Sequence, residues 1–144
     1  MNQYKVIINK QKNKLYVKKG NKVLEEIICS TGSGINQRVY HHLDNKIITY
    51  SGDTPNGTYK IKEIIYSKDL GWLGDPIGQK RPYGHYIFAL DNNPYGIAIH
   101  GTDEPEKLGS PVTNGCVRVS NNDIKKLKEK YVKIGTLVEI MGGK

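Results

Sequence analysis

Tyr4, Val6 and Ile8 alternate with Lys5, Ile7 and Asn9, and a two-residue period of this kind commits the start of the chain to β-strand. Leu15-Tyr16-Val17 and the run from Val23 to Cys29 follow it. Polar turns separate the three segments, the second being Lys19-Gly20-Asn21-Lys22. Short apolar runs between Gly/Asn/Lys turns predict a β-hairpin or meander over the first thirty residues. The 16 Gly and 10 Tyr, against one Phe and one Trp, lean the same way for the chain as a whole.

Beyond the meander, Ser30 to Gly34 reads as a Gly/Ser loop, and 35–50 as a longer segment with His41 and His42 exposed on a loop. Thr54-Pro55-Asn56-Gly57 is a turn, because Pro fixes φ and Gly supplies positive φ. Thr58–Tyr66, Tyr86–Leu90 and Ile97–Ile99 read as strands, the last ending at His100. Gly71–Gly84 is Gly/Pro-rich and reads as an irregular surface loop. One helix is expected: Ser120 and Asp123 have capping-box spacing, and Ile124, Leu127 and Tyr131 line one face. A final strand, Thr136–Met141, closes the chain. The expectation is a single mostly β domain over 1–144, with no repeat and no linker.

A 37% hydrophobic and 25% charged composition excludes a disordered chain. No stretch approaches the roughly 18 apolar residues of a membrane span. Met1–Lys5 runs straight into the strand pattern without the apolar core of a secretory leader, so the export route is open. The net charge of +8 favours anionic partners or a solvated lysine surface. The lysines are scattered and form no basic stripe interleaved with aromatics, which argues against nucleic acid. Two cysteines allow one disulfide without demanding it: Cys29 sits in an apolar run, and Cys116 among Gly and polar residues.

Chemistry concentrates in two places. Gly96-Ile97-Ala98-Ile99 delivers His100-Gly101-Thr102, and Thr113-Asn114-Gly115-Cys116-Val117-Arg118 stands just ahead of the helix. A free cysteine has a pKa of about 8.5 and needs a base or an electropositive field to become a nucleophile. An imidazole supplies both. Gly115 leaves room for a carbonyl to approach the backbone, where N–H groups can hold an oxyanion. Taken by residue type alone, an inert cysteine and a merely hydrogen-bonded histidine remain alternatives. Four histidines and two cysteines lack convincing zinc-ligand spacing, so no metal is expected.

The order of these pieces resembles the YkuD-type L,D-transpeptidase family from about Tyr4 to Met141. The signature pieces are His100-Gly101-Thr102, Thr113-Asn114-Gly115-Cys116-Val117-Arg118, Ser30-Thr31-Gly32 and Thr54-Pro55-Asn56-Gly57. The resemblance implies a β-sandwich or barrel-like fold with one helix after the catalytic loop. It implies Cys116 as nucleophile, His100 as base, Gly101 as the carbonyl orienting the imidazole, and Gly115 with Cys116 as oxyanion donors. Arg118, Asn114, Thr113 and Thr102 become candidates to touch substrate, with Tyr83, His85 and Trp72 at the cleft entrance. Many family members carry His where this chain has Asn114, which cannot titrate. The implied partners are peptide stems of the cell wall and, as inhibitors, carbapenems. The implied reaction is a 3→3 cross-link, or L,D-carboxypeptidase activity if water attacks, and no cofactor. A binding module that keeps the fold without turnover, and a cysteine acyltransferase acting on protein, are the competing readings. The substrate implies a location in the cell envelope.

Overall fold

The alternation at the start of the chain folds as a meander. In a computed structural model of the protein, which describes residues 3–34, 37–41, 46–50, 53–66, 86–92, 96–102, 104–113 and 115–142, β1 (Tyr4–Asn9), β2 (Lys14–Lys19) and β3 (Lys22–Ile28) pair antiparallel in sequence order. Val6, Ile8, Leu15 and Val17 all point inward and are at most 1% exposed. Each fully buried side chain of this size is worth about 1.5–3 kcal/mol, so the period itself fixes the register.

The last strand, β12 (Leu137–Met141), lies parallel to β1 and antiparallel to β7 (Gly57–Tyr66). From β7 the sheet continues through β8 (Tyr86–Leu90) and β9 (Ala98–His100) to β11 (Val117–Arg118), giving the order β11-β9-β8-β7-β12-β1-β2-β3. The two ends of this order meet. Ser30, just past β3, exchanges backbone hydrogen bonds with Arg118 of β11 at 2.8 and 2.9 Å. That bridge curls the eight-stranded sheet into a barrel-like shape around Phe88, Leu90, Ile99, Val117 and Val119, all at most 1% exposed. Two short ribbons flank it: β4 (Thr31–Gly32) with β10 (Pro111–Thr113), and β5 (Gln37–His41) with β6 (Lys46–Tyr50).

The ribbon of β5 and β6 corrects the expectation that His41 lies on a loop within the segment 35–50. His41 stands on β5, its backbone opposite Lys46; His42 lies outside the described residues. Backbone pairing organises this segment where no clean apolar alternation announced it. The Ser30–Gly34 loop likewise contains the two-residue β4. The expected loop at Gly71–Gly84 lies outside the described residues.

The helix α1 (Asn121–Lys130) starts where expected. Ser120 is its N-cap, and its hydroxyl accepts from the Asp123 N–H at 3.0 Å. Ile124 and Leu127 enter the barrel core. Tyr131, at the helix end, donates its hydroxyl hydrogen to Glu25 of β3 (2.7 Å) and sets its ring edge-on to Tyr4, 5.0 Å between centroids. The helix is thereby pinned across the meander. Among the described residues, no helix is long and apolar enough to cross a membrane.

Candidate active site

The site stands where the sheet closes. In the parallel pairing of β9 and β11, Ile99 lies opposite Val117 and His100 opposite Arg118. Cys116 is one residue ahead of that register. The residue is half-buried; its sulfur donates to the Gly96 carbonyl at 3.7 Å, and the Ala98 N–H lies where it favours the thiolate. Cys116 and Cys29 are both free thiols. Cys29 is fully buried, and burial pushes its pKa up to about 12, which makes it an inert core residue.

His100 is 5% exposed. Its Nδ1 lies 2.6 Å from the Gly101 carbonyl. A carbonyl oxygen only accepts, so Nδ1 carries the proton and Nε2 is the basic nitrogen. Burial is the main reason the imidazole pKa falls to about 4, and the positive charge of Arg118 pushes the same way against the Gly101 hydrogen bond. The thiol of Cys116 moves in the opposite direction. Burial raises its pKa, outweighing the Ala98 N–H and Arg118, which both favour the thiolate. Near neutral pH the two groups are therefore a neutral imidazole and a protonated thiol.

Two threonine hydroxyls hold the loop ahead of β11. Gly115 has φ of 129°, a conformation that other residues adopt only under strain. The Gly115 N–H donates to the Thr113 hydroxyl at 3.1 Å, and that hydroxyl donates to the Cys116 carbonyl. On the other side, the Thr54 hydroxyl donates to the Gly115 carbonyl at 2.7 Å and accepts from the Gly32 N–H at 2.8 Å. The Gly115 N–H, expected as an oxyanion donor, is thus already engaged. Among the described residues, the Cys116 N–H is the backbone group of this pair with no hydrogen-bond partner.

Arg118 is half-buried, with its guanidinium 3.7 Å from Glu104. Thr102 is 2% exposed; its N–H donates to the Asn121 side chain, and its hydroxyl accepts from the Glu104 N–H. It lines a cavity of about 290 Å³ with Pro105, Ser120, Asn121 and Asn122 at the start of α1. Thr113 is buried beneath the loop. Asn114, Tyr83, His85 and Trp72 lie outside the described residues. Two contributors escaped the sequence reading. The Ala98 N–H carries no side-chain signal. Thr54 was legible only as the first residue of a turn, although its complete burial makes it a support for the loop.

The comparisons with known proteins agree with this architecture. The YkuD family, described as the L,D-transpeptidase catalytic domain, matches residues 3–140. Putative L,D-transpeptidase YqjB of Bacillus subtilis is 32% identical over 142 residues, covering 94% of this chain and 69% of the relative. Putative L,D-transpeptidase YkuD of Bacillus licheniformis is 41% identical over 59 residues, covering 41% of this chain but only 34% of that protein. Among solved structures, the L,D-transpeptidase of Xylanimonas cellulosilytica superposes with a TM-score of 0.68 at 23% identity, over 97% of this chain and 61% of that one. L,D-transpeptidase 3 of Mycobacterium tuberculosis, solved with a faropenem-derived adduct, gives a TM-score of 0.66 at 17% identity, over 96% and 60%. The chain belongs to the YkuD family of L,D-transpeptidase catalytic domains.

Proposed function

We propose that the protein is a cysteine acyltransferase that remodels peptidoglycan peptide stems in the cell envelope. The observation that carries this reading is His100, buried and held by Nδ1 on Gly101, on the strand that pairs with β11 directly after Cys116. Cys116 Sγ attacks the carbonyl of the third residue of a tetrapeptide stem while His100 Nε2 removes the thiol proton. The new oxyanion accepts a hydrogen bond from the Cys116 N–H. The C–N bond to the terminal D-Ala breaks, and the imidazolium returns its proton to the leaving amine. A thioester remains. An amine of a neighbouring stem then attacks it, His100 takes that proton, and the thiolate leaves and is reprotonated. The product is a 3→3 cross-link. Water in place of the amine makes the same site an L,D-carboxypeptidase.

Because both groups rest neutral, proton transfer accompanies attack rather than preceding it. Arg118, beside the pair, stabilises the thiolate as it forms and disfavours a protonated His100. Its guanidinium is also a candidate anchor for a stem carboxylate, along with Asn114 and the entrance residues Tyr83, His85 and Trp72.

The test is intact mass after incubation with a carbapenem, using wild type and Cys116→Ala. One structural relative is solved in complex with imipenem, a carbapenem, and another with a faropenem-derived adduct. The expected result is one adduct on the wild type and none on Cys116→Ala. An unmodified wild type, with Cys116 equally inert to simple alkylating agents, would replace this reading with a wall-binding module that lacks turnover.

A further inference from the structure

The Thr54 hydroxyl grips the carbonyl of the peptide that links Gly115 to Cys116, 61 residues away in sequence. In a trans peptide the C=O and the following N–H point in opposite directions. The described chain contains no cis peptide. Drawing the Gly115 carbonyl onto a fully buried threonine therefore turns the Cys116 N–H away from the interior. The opposite flank is fixed as well, since Thr113 takes the Gly115 N–H and the Cys116 carbonyl. Three of the four polar backbone atoms of Gly115 and Cys116 are tied to threonine hydroxyls, and the fourth is left facing outward.

Thr54 is itself anchored. Lys10 follows β1 and is only 7% exposed; its ammonium donates to the Thr54 carbonyl at 2.6 Å and pairs with Asp53 at 3.0 Å. A buried lysine is costly unless its charge is met, and here two oxygens from neighbouring residues meet it. The Gly32 N–H fixes the rotamer of the Thr54 hydroxyl from β4.

Resting on the acyl-transfer reading above, we propose that Thr54, braced by Lys10, is a positioning residue that orients the Cys116 N–H as oxyanion donor. It touches neither sulfur nor imidazole. Its effect falls on the step in which negative charge develops on the substrate oxygen, not on thiol reactivity as such.

Thr54→Val keeps the shape and removes the hydroxyl. The expected result is an acylation rate constant lower by about tenfold to a hundredfold, with carbapenem binding preceding acylation unchanged, because a misaligned donor loses most of its transition-state advantage. Alkylation of Cys116 by iodoacetamide, which develops no oxyanion, stays within about twofold of wild type on the same argument. Thr54→Ser restores acylation. Lys10→Met shows the same split in smaller degree. A readout independent of activity is the 15N–1H resonance of the Cys116 amide, which Thr54→Val shifts more than its neighbours in β11. Equal loss of acylation and alkylation, or a Thr54→Ser variant as impaired as Thr54→Val, would mean a merely structural role. An unmoved Cys116 amide overturns the inference even if wild type acylates. A moved amide in a protein that never acylates leaves the orientation standing and removes the acyl-transfer reading alone.

Discussion

The meander and the closing seam are built by different physics. In β1 and β2, strands of six residues alternate buried with more exposed side chains, and burial of Val6, Ile8, Leu15 and Val17 sets their register. At the seam, β4, β9, β10 and β11 are two or three residues long, too short for side-chain periodicity to choose a register. There, hydroxyls do the choosing: Thr54 and Ser30 bind the backbone of distant segments, and Thr113 binds that of its own loop. The apolar region can be strong without being exact in its hydrogen bonding. The polar region must be exact, because each buried unpaired group costs about 1–3 kcal/mol. The chemistry we propose sits in the second kind.

Substitutions should separate the two regions. The largest effect is expected from His100→Gln, which removes the proposed base: kcat/KM for acylation should fall by about 10²–10⁴ while the protein melts cooperatively. Retained acylation in that variant would break the division. Leu15→Ala should do the reverse, costing about 2–5 kcal/mol in urea unfolding with the acylation rate of the folded fraction unchanged. The acid side sharpens the contrast. His100 has a pKa of about 4 in the folded protein against an ordinary 6.5, so the unfolded chain binds the extra proton between those values. Stability should therefore fall as pH drops from 6.5 towards 4, by roughly 3 kcal/mol in total, and His100→Gln should abolish that slope. By the same shift, the acid limb of the kcat/KM profile should centre near pH 4 rather than near neutrality. The smallest effect belongs to Ser120→Ala, which should cost about 1 kcal/mol through loss of the helix cap and leave turnover alone.

The same division explains what the sequence disclosed. The meander, β7, β8, β12 and the helix with its Ser120 cap were legible, since periodicity and capping leave marks in residue type. The belonging of His100 and Cys116 to one region was legible only through the ordered motifs. The hairpin of β5 and β6 was not, nor were β4, β10 and β11. Short strands owe their existence to partners far along the chain, as the bridge of Ser30 to Arg118 shows. The roles of Ala98 and Thr54 were hidden for a related reason: one acts through its backbone, the other through a hydroxyl bond spanning 61 residues. The neutral resting state of His100 and Cys116 follows from burial, which no local motif reports.

The placement of β12 bears on how the molecule comes into being. The last strand stands between β7 and β1, so until residues 137–141 are available the two halves of the sheet can meet only through the Ser30–Arg118 bridge and the β4–β10 ribbon. One half carries Ser30 and the other carries Arg118, and the bridge that closes the barrel joins them. Pairings between segments far apart in sequence are slow to form because the intervening loop must first be closed. A nascent chain leaving the ribosome therefore lacks, until late, the strand that ties the two half-sheets together along their length. The final strand contributes no residue to the proposed site, yet the sheet that carries both His100 and the meander is continuous only once it is in place.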